Sequence, residues 1–195
     1  MTGFPDVVWR LPWWVEEMLG DDPATYPSVE DQMRLVVALA SRNVAEGTGG
    51  PFAAAVFEIE GGRLVAPGVN MVVPTSTAVA HAETVAISVA GVVSGSFDLG
   101  AEGAPAAVLV TSTEPCAMCF GAVPWSGVRR LVCGARDEDA RAVGFDEGPK
   151  MGDWVERLEE RGIEVVRDVY RTDAREVLEA YVRGGGVVYN GRQGT

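Results

Sequence analysis

From residue 51 onward the chain sets short runs of apolar and β-branched residues between longer segments of helical periodicity, and this alternation leaves few folds open to it. Residues 51–59 and 63–70 flank Glu60-Gly61-Gly62, the pattern of a β-hairpin. Residues 106–110, 130–134 and 163–168 are further strand candidates, short and apolar enough to lie inside a sheet. Between them run the helical patterns. The first follows Ser28 as N-cap, with Asp31 three residues on and Met33, Val36, Val37 and Ala40 as its buried stripe, until Gly47 ends it. Residues 81–93 are nearly all apolar, which predicts a deeply buried helix. Another helix opens at Pro115, whose missing N–H does no harm there, and residues 151–161 form the next. Thr172 is expected to cap the last, with Ala174, Val177, Leu178, Tyr181 and Val182 facing inward and residues 184–186 stopping it. A helix, a hairpin, then strands alternating with helices predict an α/β fold of three layers, α/β/α, around a mixed five-stranded sheet.

At 195 residues the chain fits one ordinary domain. Residues 28–195 are expected to form it, and residues 1–27 an N-terminal extension. In that extension Leu11, Trp14, Val15 and Met18 have helical spacing beginning near Pro12, and residues 21–27 form a loop. The extension would serve for packing, or as a lid or partner surface. Glu16, Glu17, Asp21 and Asp22 interrupt the early hydrophobic residues, which argues against a signal peptide. No apolar run approaches the roughly 20 residues that span a bilayer, so no membrane partner is expected. A formal net charge of -12 repels polyphosphates, so no nucleic acid partner is expected either. Three cysteines, an odd number, suit a reducing compartment, and the cytoplasm is the expected location.

The chain has one histidine, in the triplet His81-Ala82-Glu83, and two of its three cysteines stand at Cys-x-x-Cys spacing in Pro115-Cys116-Ala117-Met118-Cys119. One imidazole and two thiolates can hold a zinc ion at three corners and leave the fourth to water, the pattern of a catalytic rather than a structural site. One Zn2+ per chain is the expectation. The start of a helix favours the thiolate form of Cys116 and Cys119. Residues two apart in a helix diverge by about 200°, so His81 must lie at the helix edge if Glu83, in the first turn, is to point at the same ion. Each feature alone has a plainer reading: a redox or chance cysteine pair, a structurally satisfied histidine, a first-turn charge. Cys133 reads as a small core residue.

His-x-Glu followed by Pro-Cys-x-x-Cys resembles the signature of the zinc-dependent nucleobase and nucleoside deaminases, the cytidine deaminase-like superfamily. Gly50-Pro51-Phe52, Gly68-Val69-Asn70, Thr113-Glu114 before the Pro-Cys and Gly121-Ala122 after it fall in the family's order. The resemblance implies hydrolytic loss of an exocyclic amine, with His81, Cys116 and Cys119 on the metal and Glu83 as the catalytic proton shuttle.

Trp125 and Gly144-Phe145-Asp146-Glu147-Gly148 resemble the guanine deaminase branch, which implies that Glu147 contacts the purine and helps move protons. By the same likeness Asn70 hydrogen-bonds the base, Phe52 stacks on it, Trp125 lines the pocket wall, and Ala82 counts among the substrate-binding positions. Without the likeness, residues 144–148 read as an acidic surface turn, Phe52 and Trp125 as core residues, and Asn70 as the end of a strand. The family further implies a homodimer whose C-terminal tails cross to close the neighbouring site. Residues 187–190 would be such a tail, with Tyr189 at the pocket, or else a frayed end.

The expected reaction is guanine to xanthine plus ammonia, a step of purine catabolism. Cytosine, guanosine, cytidine or an aminotriazine such as ammeline are alternative substrates. Thr113 stands where the branch often has cysteine, and Glu147 is one methylene longer than the usual aspartate, so guanine is less firmly implied than deamination. A tRNA adenosine deaminase would need a basic groove, which this acidic chain does not suggest. A non-catalytic zinc fold would have no use for an unligated Glu83.

Overall fold

A computed structural model describes residues 3–20 and 25–192. Five strands form one sheet in the order β2-β1-β3-β4-β5: β1 (Ala53–Glu58), β2 (Leu64–Val69), β3 (Ala107–Thr113), β4 (Arg130–Ala135) and β5 (Glu164–Val166). β1 pairs antiparallel with β2 and β3, while β3, β4 and β5 run parallel, so the sheet is mixed as expected.

Alternate residues of the strands feed two cores. Ala53, Ala55, Phe57, Val108 and Val110 face α2 (Val29–Ala45), and α8 (Arg171–Arg183) covers β4 on the same side. Ala54, Val56, Leu109 and Leu131 face α4 (Ala82–Ser94), α5 (Ala117–Ser126) and α7 (Trp154–Glu159). Helices on both faces make the three layers. Gly68 lets α4 lie close on β2, because a Cβ there would sit 2.4 Å from the Ala82 carbonyl oxygen.

Ser28 caps α2 as its spacing predicts, accepting the Asp31 N–H at 3.0 Å. Other details depart from the sequence reading. α4 buries one face only: Ala82, Val85, Ala86 and Ala90 are enclosed, whereas Val92 and Val93 at its C-terminal end are 83% and 61% exposed. Cys116, not Pro115, caps α5. The helix expected over residues 151–161 is only α7. Tyr170, in left-handed conformation, caps α8, and Thr172 lies inside it. Two short helices, α3 (Val72–Thr75) and α6 (Asp137–Ala142), carry too few apolar residues to show a period.

The N-terminal helix α1 (Trp13–Leu19) begins just after Pro12. Trp14 is wholly buried in the core beneath α2, and its indole N–H donates to Thr48 Oγ1 at 2.9 Å. Of the expected 21–27 loop, residues 21–24 lie outside the described residues, and Thr25 bridges to Arg63. Among the described residues no helix is long and apolar enough to cross a membrane.

Candidate active site

Two helix N-termini meet at the site. His81 is the N-cap of α4, with extended backbone (φ -70, ψ 154), and Cys116 is the N-cap of α5, also extended. The extended geometry at His81 turns its ring away from the helix and leaves Glu83 in the first turn, the arrangement that a two-residue spacing requires. Cys119, one turn into α5, faces the same point. The ligand atoms of His81, Cys116 and Cys119 lie within 4.8 Å of one another, and His81 Nδ1 is 3.5 Å from Cys116 Sγ. Tetrahedral zinc with bonds of about 2.0–2.3 Å separates its ligand atoms by roughly 3.3–3.8 Å, so this donor set fits zinc.

The two thiols differ. The hydrogen bond from Cys119, and that with His81, pull the Cys116 thiol down to about 4, whereas the same bond to Cys116 and burial push the Cys119 thiol up. Cys116 is therefore already the thiolate that a metal binds, and Cys119 would release its proton on binding one. Burial pushes Glu83 up to about 7, with the Cys116 charge adding to the effect. A dication on the adjacent ligands would draw it back toward the carboxylate form.

A cavity of about 490 Å³ opens over these groups and is lined by Phe52, Asn70, His81, Glu83, Thr113, Cys116, Phe145, Glu147 and Tyr189 among others. That volume suits a small heterocycle. Glu147 is 6% exposed, so residues 144–148 are not merely an acidic surface turn. Burial, reinforced by the charges of Cys116 and Glu83, raises its carboxyl to about 8, and a dication held by Cys116 would oppose that rise and favour the carboxylate, the form that only accepts. Its carbonyl accepts the Ala117 N–H at 2.9 Å, tying the loop to the first turn of α5. Phe145 turns inward from the same loop, with Phe52 edge-on at 4.9 Å and Tyr189 at 5.5 Å.

Asn70, wholly buried, directly follows β2. Its Nδ2 donates to the Tyr189 hydroxyl at 2.6 Å, and its Oδ1 accepts the Val72 N–H at 3.3 Å. Gly50 allows Tyr189 to sit there: a Cβ would come within 2.9 Å of the ring. The tail is held by Asn190, which accepts the Asp146 N–H and donates to the Gly144 carbonyl, both at 2.9 Å.

Two expected site residues lie elsewhere. Trp125 does not line this cavity. It is 85% exposed at the end of α5, beside Pro124 and Met151, because α5 points away from the site that its N-terminus builds. The Ala82 side chain is enclosed in the core between α4 and the sheet and does not reach the cavity. The tail, expected to cross to a neighbouring copy, lies over the cavity of its own chain here, with Tyr189 on the cavity wall.

Sequence reasoning also passed over a buried ion cluster behind Cys116. Glu114, 3% exposed, accepts from Arg167 Nε at 2.6 Å and from the Asp137 N–H at 3.1 Å. Lys150 lies 3.7 Å from Glu114 and 3.3 Å from Asp137, donates to the Pro115 carbonyl at 3.0 Å, and stands over the Trp154 ring. A lysine in a sequence says nothing of its burial. Glu114 beside the cysteine motif was the one available hint.

A mixed sheet with two helix N-termini converging on an imidazole, two thiols and a buried carboxylate defines a zinc-dependent hydrolase, here an aminohydrolase. The profile of the cytidine and deoxycytidylate deaminase zinc-binding region matches residues 27–135, and the chain belongs to that family. It is 36% identical over 118 residues to the guanine deaminase of Bacillus subtilis, covering 60% of this chain and 71% of that one. The solved guanine deaminase of Nitrosomonas europaea is 46% identical with a TM-score of 0.86, over 92% of this chain and 98% of that one. A structure of the protein NE0047 with 2,6-diaminopurine is 48% identical with a TM-score of 0.87, over 94% and 96%.

Proposed function

We propose that this protein deaminates a free aminopurine base by hydrolysis, converting guanine and water to xanthine and ammonia. The observation that carries the reading is the buried Glu147 sharing one cavity with Glu83, Cys116 and His81. A carboxylate is purely an acceptor, and guanine presents N–H donors around its amine-bearing carbon, where adenine has a bare ring nitrogen. Two guanine deaminases among the similar proteins, and a relative that binds 2,6-diaminopurine, support the same base class.

His81, Cys116 and Cys119 would hold one zinc ion, which supplies activation of water near neutral pH. Glu83 takes one proton from the attacking water and delivers it to the ring nitrogen next to the reacting carbon, then takes the proton of the hydroxyl now on that carbon and passes it to the amine, which leaves as ammonia while the C–N bond breaks and the carbonyl forms. Glu147 accepts an N–H of the purine and holds its edge toward Glu83. Phe52 and Phe145 offer apolar ring surface to the base. Asn70 hydrogen-bonds the base, and Tyr189 closes the cavity while orienting the Asn70 amide. The enclosed side chain of Ala82 leaves its backbone as the only group it could offer.

A homodimer is part of the proposal. Val92, Val93, Phe97 and Trp125 are apolar side chains that a monomer leaves in water. A cytoplasmic role in purine catabolism is also part of it, supported by three reduced cysteines. The net charge argues against a polynucleotide substrate.

The test is ammonia release from guanine, guanosine, cytosine, cytidine, adenine and ammeline by the zinc-loaded protein. Guanine should give the highest kcat/KM. Preference for any other compound removes guanine, and silence on all of them removes the catalytic reading.

A further inference from the structure

Residues 143–153, between α6 and α7, carry Phe145 and Glu147 to the cavity wall without a strand or helix of their own. A buried carboxyl on such a segment needs other restraints to keep one direction. Two of them run to the turn that opens α5. The Glu147 carbonyl accepts the Ala117 N–H at 2.9 Å, and three residues on, Lys150 Nζ donates to the Pro115 carbonyl at 3.0 Å. Between them Gly148, at φ +69, passes so close that a Cβ there would lie 3.1 Å from that of Ala117. The Lys150 N–H returns to the Gly148 carbonyl at 2.9 Å, which links the lysine to this close approach.

The Lys150 side chain is 5% exposed. Burying an ammonium is costly unless charges and acceptors surround it. Here they come from three places: Asp137 of α6 at 3.3 Å, Glu114 just after β3 at 3.7 Å, and the Trp154 ring of α7 at 4.9 Å. Arg167 already pairs with Glu114, and what Lys150 adds is a donor for the Pro115 carbonyl. The two ends of that bond are not equally fixed. Pro115 stands between β3, the central strand of the sheet, and α5, whereas residues 143–153 have no ladder or helix to hold them. The bond therefore holds the loop on the turn rather than the reverse. We propose that Lys150 is a positioning residue, which keeps the Glu147 carboxyl aimed at the base by clamping residues 147–150 to the Pro115 carbonyl. This rests on the aminopurine reading above, which gives Glu147 its contact with the base.

Lys150→Met keeps most of the stem and removes the donor, and Glu147→Ala removes the group to be positioned. Zinc content and kcat/KM on guanine would be measured for the zinc-loaded wild type, both single variants and the double variant, well below the thermal midpoint of each. Lys150→Met should load zinc fully and lose kcat/KM by about tenfold, the scale of a misplaced contact. In the Glu147→Ala background the same substitution should cost less than about threefold, because residues that act through one another do not add. Equal losses in the two backgrounds overturn the proposal, since a merely structural lysine acts whatever stands at position 147. So does an unchanged kcat/KM in Lys150→Met, or a loss that follows lost zinc. Should Lys150→Met not fold, Glu114→Gln is added to it, which removes one charge of each sign from the cluster, and Glu114→Gln alone becomes the reference for the same cycle. A wild type inactive on guanine and every other aminopurine would instead overturn the functional reading, and this role with it.

Discussion

The amide of Asn70 and the phenol of Tyr189 meet at 2.6 Å, joining the residue that follows the edge strand β2 to the C-terminal tail, 119 positions away. That bond lies in the cavity wall beside His81, whose ring is 6.2 Å from that of Tyr189. The tail is therefore part of the site's enclosure. Removing the chain from residue 187 onward should leave zinc content intact and raise the KM for guanine by tenfold or more, since water exclusion and contact area are lost together. Steady-state kinetics on the shortened protein check this, and an unchanged KM would show that the tail does not close the cavity.

Glu83 and Glu147 share the cavity but should respond differently to neutralisation. Glu83→Gln should bind zinc normally and lose turnover by about 10²–10⁴-fold, the usual worth of a positioned proton carrier. Glu147→Gln should also keep its zinc, with a loss of kcat/KM of tenfold or more that is larger for guanine than for other bases. Metal analysis beside single-turnover rates separates the two. A Glu83→Gln enzyme near the wild-type rate would refute the shuttle.

Lys150 connects the loop carrying Glu147 to the turn carrying Cys116, through the Pro115 carbonyl and the Glu114 carboxylate. Its side chain is 5% exposed and that of Glu114 is 2% exposed. Lys150→Met removes one charge of a buried cluster and leaves the carboxylates undercompensated, which should destabilise the fold by about 3–5 kcal/mol. Urea unfolding of the zinc-loaded protein measures it. A loss below about 1 kcal/mol, the worth of an exposed pair, would mean that water compensates the cluster.

Trp14 belongs to a segment that looks dispensable in the sequence, yet it is wholly buried, bonded to Thr48 and covered by Arg42 at 5.5 Å. Trp14→Ala should cost about 3–5 kcal/mol, and with roughly 2–4 °C per kcal/mol the thermal midpoint should fall by about 10 °C. A midpoint shift within 2 °C, small on that scale, would show that α1 only leans on the fold.

How far the sequence could be read followed the range of the interactions. Ser28 and Asp31 cap α2 through a contact three residues long, and Glu60-Gly61-Gly62 turns a hairpin whose strands carry their own apolar pattern. His81 at a helix edge with Glu83 inside it followed from helical geometry alone. α3 and α6 were missed because a turn of helix is too short to show a period. Exposure was misjudged at Val92 and Val93, because an apolar composition cannot tell which turns of a helix its neighbours cover.

The residue types and their spacing were enough to pick out the three residues that could hold a metal, the adjacent carboxylate and the mixed α/β architecture, because each depends on local geometry or on a short list of chemistries open to histidine and cysteine. Only the folded chain decided that Glu147 is buried in the cavity, that Trp125 faces outward, that Tyr189 covers its own chain's site, and that Lys150 reaches the Pro115 carbonyl. Those outcomes arise from contacts between segments far apart in the chain. A linear order of residues carries no record of which of two faces such a contact will enclose.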